Sequence, residues 1–558
     1  MTDKIKLAFE DGHITEHPFR TSLNDVMPSR TDSSGLPYIA ALINNDICSL
    51  NYPLEMECEI KLLTMASPEG WPVFQRSLAF ILAKTVKELF PGSGFSVDYA
   101  VGNGLYCSFE QNAGVPNGGI TPEQVQTIGD HMKSLIARDI PIERKKISFA
   151  EASRRLTEAG QTDKLNLLRF RNPPRIVIHV CEGFYDLAQG PVAPSTGAID
   201  LFELIPYPPG FVLQLPDPTK GTPIAPFRNL PLLFKIFREH KDWGRAMGVN
   251  TVGRLNEIIM NGDISDFIKV AEALHEKNVA RIADEIQRRR STTRIVLVAG
   301  PSSSGKTTFA KRLAIQLRVN GFHVSTLSLD NYFFELAKTP LNENGVPDFE
   351  HINSLDLDLF NQHMEQLVKN GEIEPPLFDF ESKTRVYRGN KMKLGPEGIL
   401  IIEGIHGLNP DLTRMIPDTS KFRVYVSALT QLSLDANNRI ATTDNRLIRR
   451  MVRDHKYRGH SALKTLRMWS SVRRGEERWI FPFQSEADAT FNSALDYELA
   501  VLKPIAEPLL MEVKPFDREY AEARRLTAFL LNFVGISDRE VPNTSMLREY
   551  IGRSSFKY

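Results

Sequence analysis

The chain opens with short apolar runs separated by turn residues. IKLAFEDG, YIAALINNDICSLNYPL and CEIKLLT alternate apolar and polar positions, with Asp11-Gly12 and Asn44-Asn45-Asp46 between them. A period of two with turn punctuation predicts a small β-rich module over residues 1–66. The period then lengthens. Residues 72–90, PVFQRSLAFILAKTVKELF, carry apolar residues at helical spacing until Pro91-Gly92 stops them. A mixed α/β pattern, with the helix FAEASRRLTEAG and the strand RIVIHV, fills the rest of residues 67–215. The Pro-rich YPPGFVLQLPDPTKGTPIAPF reads as a linker or an extended surface strap. Residues 230–290 are helical in pattern and close on the basic EKNVARIADEIQRRR, which reads as a solvated helix face. From Arg294 the runs RIVLVAG, KTTFAKRLAIQLRVNG, HVSTLSLD, GILIIEGI and FRVYVSAL alternate strand and helix. That rhythm predicts an α/β domain with a mostly parallel, doubly wound sheet. The expected plan is 1–66, 67–215, a linker and helical segment at 216–290, the α/β domain at 291–535 and a tail at 536–558.

Composition narrows the class without naming a function. The 558 residues carry 68 basic and 68 acidic side chains, so no global basic excess marks a nucleic-acid binder. No apolar run approaches a membrane span, and MTDKIKLAFEDGH has no apolar signal-peptide core. Cys48, Cys58, Cys107 and Cys181 are widely spaced with no CxxC pair, which signals neither zinc nor a disulfide framework. These features favour a reduced, cytoplasmic setting with no membrane partner.

The chemistry concentrates at one motif. Gly300-Pro301-Ser302-Ser303-Ser304-Gly305-Lys306-Thr307 fits G-x-x-x-x-G-K-[ST], with an apolar strand before it and a helix after it. Such a loop cradles phosphate oxygens with backbone N–H groups, through Thr308 at the start of the helix. Lys306 would reach the outer phosphates and Thr307 would ligate Mg²⁺, so ATP and Mg²⁺ are the expected cofactors. Asp330 ends the next strand, where a carboxylate can take an acceptor proton or hold a metal-bound water. Glu403 ends ILIIEG, the expected place for a Mg²⁺ carboxylate. Arg439 to Arg478 holds twelve Lys/Arg against four Asp/Glu, and Arg446, Arg449, Arg450 and Arg453 share one helix face able to close over phosphates.

Together these residues resemble the uridine kinase and phosphoribulokinase family, from about Arg294 to Lys503. Asp330-Asn331-Tyr332-Phe333 looks like D-x-[FY]-[FY], and Asp348-Phe349-Glu350-His351 like N-F-D-H-P. Phe378-Asp379-Phe380 with Ser382-Lys383-Thr384-Arg385 looks like Y-D-F-x-x-H-x-R. Glu403-Gly404-Ile405 and the run from Arg446 to Asp454 complete the match. The resemblance implies γ-phosphate transfer from ATP to a primary hydroxyl, usually the 5′-OH of a pyrimidine nucleoside. It implies Asp330 as general base, Thr307 and Glu403 on Mg²⁺, and Arg449 and Arg453 over the phosphates. The substrate positions would be Glu350, Phe378, Phe380, Lys383 and Arg385. Several depart from the family: Glu350 replaces an Asp, Phe378 a Tyr, Lys383 a His, His460 an Arg and Met468 a Gln. Losing substrate hydrogen bonds costs discrimination of roughly 10⁴-fold, so the base is left open. A phosphorylated sugar, met by Lys383 and Arg385, is the alternative acceptor.

The front half, about Lys4 to Ile205, resembles the TGS and editing domains of threonyl-tRNA synthetase. HPFRTSLNDVM, SPEGWPVFQRSLAFILAKTVKELFPGSG and GFYDLAQGPVAPSTGAI carry the likeness. The editing motifs H-x-x-x-H and C-x-x-x-H fall on Arg76, Phe80, Ala188 and Val192, none a usual metal ligand. Metal binding and aminoacyl-tRNA hydrolysis are therefore not expected here, and His179 and Cys181 read as core residues. What remains would bind RNA or a regulatory ligand, or assemble a homo-oligomer. An RNA-associated ATPase is the rival to a small-molecule kinase.

Overall fold

The computed structural model describes residues 4–110, 119–171, 173–218, 224–342, 345–369, 371–379, 382 and 384–557. The chain is an α/β protein throughout. Lys4–Phe9 pairs antiparallel with Ile14–Pro18 and parallel with Cys58–Leu63, and Ala40–Ile43 and Asp46–Cys48 complete a five-stranded mixed sheet. Ile5, Leu7 and Phe9 alternate inward along the first strand, as the period-two pattern requires.

The helix Gly70–Leu89 follows, buried along most of its length, beside a three-stranded and a four-stranded sheet. The four-stranded sheet corrects one expectation. Gly210–Gln214, inside the supposed strap, is a fully buried strand between Glu203–Tyr207 and Gly104–Glu110. Prolines on either side of FVLQ mask its apolar run: Pro206 sits in the edge strand of the sheet, where the lost N–H is tolerated.

The C-terminal half is built on five parallel strands in the order His323–Ser328, Gly398–Glu403, Ile295–Ala299, Lys421–Ser427, Ala489–Asn492. Strand buried on both faces explains the unbroken apolar runs read there. The fifth strand, ATFN, was not anticipated. The helix Ile264–Arg288 is no solvated appendage: Val279, Ile282, Ala283 and Ile286 are buried, and it packs on the helix Lys306–Val319 with Arg312 reaching Glu276 at 2.6 Å. Nor are residues 536–558 a loose tail. Met546, Leu547 and Tyr550 are fully buried in the same core. Among the described residues no helix is long and apolar enough to cross a membrane.

Candidate active site

Strand Ile295–Ala299 delivers Gly300 to the carboxyl edge of the sheet, where ligand crevices of such sheets lie. A Cβ at Gly300 would fall 1.9 Å from the Val426 carbonyl oxygen, so only glycine passes there. Ser303 (φ 56°) and Gly305 (φ 84°) take left-handed conformations that curl the loop into the helix Lys306–Val319. Lys306 folds back over the loop, its Nζ donating to the Pro301 carbonyl at 3.1 Å. Burial pushes its amine down, and Glu403 and Asp330 oppose that.

Asp330 stands in the 3₁₀ turn Leu329–Tyr332, directly after His323–Ser328. Burial raises its pKa, against Lys306, Arg458 and Arg453. Glu403 closes the adjacent strand in register with Ser328, whose hydroxyl donates to it at 2.9 Å. Burial first, then the neighbouring Asp330, pushes Glu403 up to about 7. Two crowded carboxyl groups beside one lysine form a site that gains from a further cation. Among the described residues no three His, Cys, Asp or Glu converge as an all-protein metal cage. Mg²⁺ needs no such cage: one or two carboxylates, a hydroxyl and phosphate oxygens suffice, and Glu403 at its strand end, beside Asp330, offers the carboxylate.

The arginine face is on the helix Thr442–Arg458, but it does not hang open. Arg446 and Arg449 are buried (1% and 0% exposed), as is Arg450. Arg446 Nε donates to the Ser302 carbonyl at 2.9 Å and its other end pairs with the buried Glu476. Arg449 pairs with Glu498 at 2.5 Å, donates to the Ser493 carbonyl at 2.8 Å, and reaches the Ser303 carbonyl at 3.4 Å. Arg450 donates to the Ser302 hydroxyl at 2.6 Å. Three of the four guanidiniums thus grip the phosphate loop itself. Arg453 leans on Asp454 at 2.7 Å and is the less enclosed of the set.

Of the expected acceptor residues, Glu350 is half-buried, with its Oε2 shut off from solvent and without a hydrogen-bond partner among the described residues. Burial drives its carboxyl up to about 7, with Arg450 opposing and Glu476 assisting. A glycine makes room for Glu350. Gly475, on the helix Ala462–Trp479, lies against it, and a Cβ there would sit 2.4 Å from Glu350 Cβ. His351 and Trp479 form an aromatic wall beside it, ring centroids 4.4 Å apart, and His406 is buried close by, held neutral by that burial. His406 was missed, though it follows Glu403-Gly404-Ile405 directly in sequence.

The remaining substrate positions divide. Phe378 is a core residue, edge-on to Phe333 at 5.7 Å. Arg385 commits all three nitrogens: Nε to the Phe333 carbonyl (2.7 Å), Nη2 to the Tyr332 carbonyl (2.8 Å) and Nη1 to Asp356 (2.8 Å). It braces the turn that bears Asp330. Phe380 and Lys383 lie outside the described residues. Glu549, from the last helical turn, was also missed; no local motif marks it. It stands against the loop helix, accepting from the Thr308 hydroxyl at 2.5 Å.

The editing-like cleft of the front half is closed. Arg76 donates to the Pro191 carbonyl at 2.7 Å, and Phe80 sits edge-on to His179 and Phe184. His179, pushed down to about 4 by burial, bonds the Gly190 carbonyl at 2.9 Å. Asn437, from the C-terminal-half segment between Lys421–Ser427 and Thr442–Arg458, enters and donates to Asp186 at 2.8 Å. About 10 Å³ is left among these side chains, room for at most about one water. His179 and Cys181 are core residues, as expected.

A parallel five-stranded sheet with such a loop on its central strand is typical of P-loop kinases. Residues 295–500 match the family model described as Phosphoribulokinase / Uridine kinase family, and the chain carries a domain of that family there. The N-terminal part resembles regions of threonine–tRNA ligases. Threonine–tRNA ligase 1 of Bacillus subtilis (strain 168) is 30% identical over 206 residues, 37% of this chain and 31% of the relative. The Thermotoga maritima ligase is 33% identical over 169 residues, 30% of this chain and 26% of the relative. The chain thus spans less than a third of the length of these curated relatives. Among solved structures, "Structure of a Possible Uridine Kinase from Bacillus stearothermophilus" is 21% identical, covering 37% of this chain and 100% of that one. Its TM-score of 0.25 is too low to carry an argument.

Proposed function

We propose that the protein is an ATP-dependent kinase that transfers the γ-phosphate to a primary hydroxyl of a small molecule, most favourably the 5′-OH of a nucleoside. The observation that carries this reading is the convergence of Asp330 and Glu403, at neighbouring strand ends, on Lys306 of the phosphate loop. Asp330 accepts the proton of the acceptor hydroxyl, and its burial raises its basicity toward the working pH. Lys306 and the backbone N–H groups of the loop from Ser302 to Thr308 hold the phosphates in line. Thr307 and Glu403 would hold Mg²⁺, which when bound neutralises charge on the phosphates. Arg453 acts on the reacting side, since it bears on the Asp330 charge, while Arg449 acts through the loop it grips. The partnerless oxygen of Glu350 supplies an acceptor for sugar hydroxyls. A phosphorylated sugar would need free basic groups; Arg385 has its nitrogens engaged and lends that reading no support, while Lys383 lies outside the described residues.

The test is to supply Mg-ATP with a panel of nucleosides and sugars and look for a phosphorylated product. Asp330→Asn is expected to lose acceptor phosphorylation, on the order of 10²–10⁴-fold for a lost general base, while still binding ATP. RNA-stimulated hydrolysis with no panel member phosphorylated would sink the kinase reading.

A further inference from the structure

The first N–H groups of any helix lack partners within it, and in the helix Lys306–Val319 these are part of the phosphate cradle. Thr308 is the third residue of that helix. Its hydroxyl donates to Glu549 at 2.5 Å, and its backbone N–H points at the same carboxylate oxygen at 3.4 Å. Thr308 is fully buried, so in this state its donors are covered. Glu549 comes from the far end of the chain, in the turn Arg548–Ile551. The turn is held by neighbours on both sides. Tyr550 donates its hydroxyl to the Ser303 carbonyl at 3.1 Å, and the Arg449 guanidinium lies 5.1 Å over its ring. Arg548 bonds Asp538 at 2.9 Å and the Val541 carbonyl at 2.6 Å. The Glu549 charge also reaches Lys306 and Glu403.

We propose that Glu549 is an acidic gate on the nucleotide site: its carboxylate occupies the Thr308 donors until a nucleotide phosphate displaces it. The proposal rests on the reading of the loop as a nucleoside triphosphate site. Two anions compete for one pair of donors at a helix N-terminus, and they repel one another if both remain. Nucleotide binding then requires Glu549 to leave Thr308. Because Tyr550 is tied to Ser303 and Arg449, that departure is felt on the opposite wall of the loop as well. A purely structural cap differs in one respect. It needs an acceptor atom on residue 549 but not a negative charge.

Titrating ATP, ADP and adenosine, by calorimetry, into the full-length parent and into Glu549→Gln separates the two. The glutamine keeps an oxygen acceptor and removes the charge. The expected result is tighter ATP and ADP binding, on the order of tenfold, the size of one relieved like-charge contact, with adenosine unchanged. Tyr550→Phe loosens the same turn without touching Glu549 and is expected to shift ATP in the same direction by a smaller factor. Should Glu549→Gln fold poorly, Tyr550→Phe decides the matter, and unchanged or weaker ATP binding there overturns the gate. ATP binding to Glu549→Gln equal to or weaker than the parent also overturns it. A parent that binds no Mg-ATP overturns the nucleotide reading itself, and the gate with it.

Discussion

Gly475 and Glu350 sit on different elements yet meet at a contact that tolerates no side-chain atom on the glycine. Gly475→Ala is therefore expected to displace the Glu350 carboxyl. Steady-state kinetics should show the KM for the acceptor rising by about tenfold or more while that for ATP stays within about twofold. Glu350 also makes a pH prediction. Its folded pKa, about 7, is raised above its ordinary 4.5, so the folded state holds the proton longer than the unfolded chain. Its contribution to stability is then present below pH 4.5 and lost as pH rises through 7. His179, held down at about 4, has the opposite sign, losing stability as pH falls from 6.5 through 4. The clean measurement is thus a difference. The melting temperature of Glu350→Gln should gain on the parent between pH 4.5 and 7, and a constant offset would contradict the assignment. At this scale the sequence displayed Glu350 as a departure from the motif but not the glycine packed against it, because the two are joined only by packing. Glu549 was hidden for the same reason, whereas Gly300 to Thr307 were legible because their chemistry is local.

The helix Thr442–Arg458 shows how a pattern is read correctly and its use differently. The spacing of Arg446, Arg449, Arg450 and Arg453 does place them on one face, but that face is fastened to the phosphate loop. A buried ion pair such as Arg449–Glu498 is costly to break from one side, because the remaining charge has no water to turn to. Arg449→Ala should destabilise the protein by about 3–5 kcal/mol in urea unfolding, apart from its effect on transfer. Arg453→Ala should cost far less stability, since Asp454 keeps Arg450 and Arg458 as partners. Equal losses would mean that the burial of Arg449 does not matter to the fold. Elements were legible wherever the apolar period was clean, as in Gly70–Leu89 and the central strands. Gly210–Gln214 was not, since its prolines suggest a strap and only the neighbouring strands show that it is pinned inside a sheet.

Across the whole molecule the two halves share a core. Leu156, Leu167, Ile176 and Ile178 of the front half belong to the same buried cluster as Val296, Phe309 and Leu547. The polar seam follows the segment leading to the arginine helix. The Ala436 N–H donates to Asp163 at 2.7 Å, its carbonyl accepts from Val97 at 2.8 Å, and Asn437 bonds Asp186, itself paired with Lys164 at 2.5 Å. A cleft of about 370 Å³ opens along this seam, lined by Asp98, Asp163, Lys241 and Asp435 among others. Asn437→Asp would set another carboxylate beside Asp186 and beside Asp435, whose own carboxyl burial already pushes up to about 7. Calorimetric melting should show the variant less stable by about 1–3 kcal/mol, in one transition and not two, because breaking a buried polar contact in a shared core is felt by both halves. Separate melting of the halves would refute the shared core. None of this coupling is visible in sequence, where the domain plan reads as beads on a string. The plugged cleft also constrains what can change. Histidines placed at 76 and 80 would not open a reaction site, because the space belongs to Asn437. Any chemistry placed there would first need the segment carrying Asn437 to be remodelled, and any change at 437 calls for an answer at 186. The two halves can drift only together, a ratchet set by one asparagine in another domain's vacant seat.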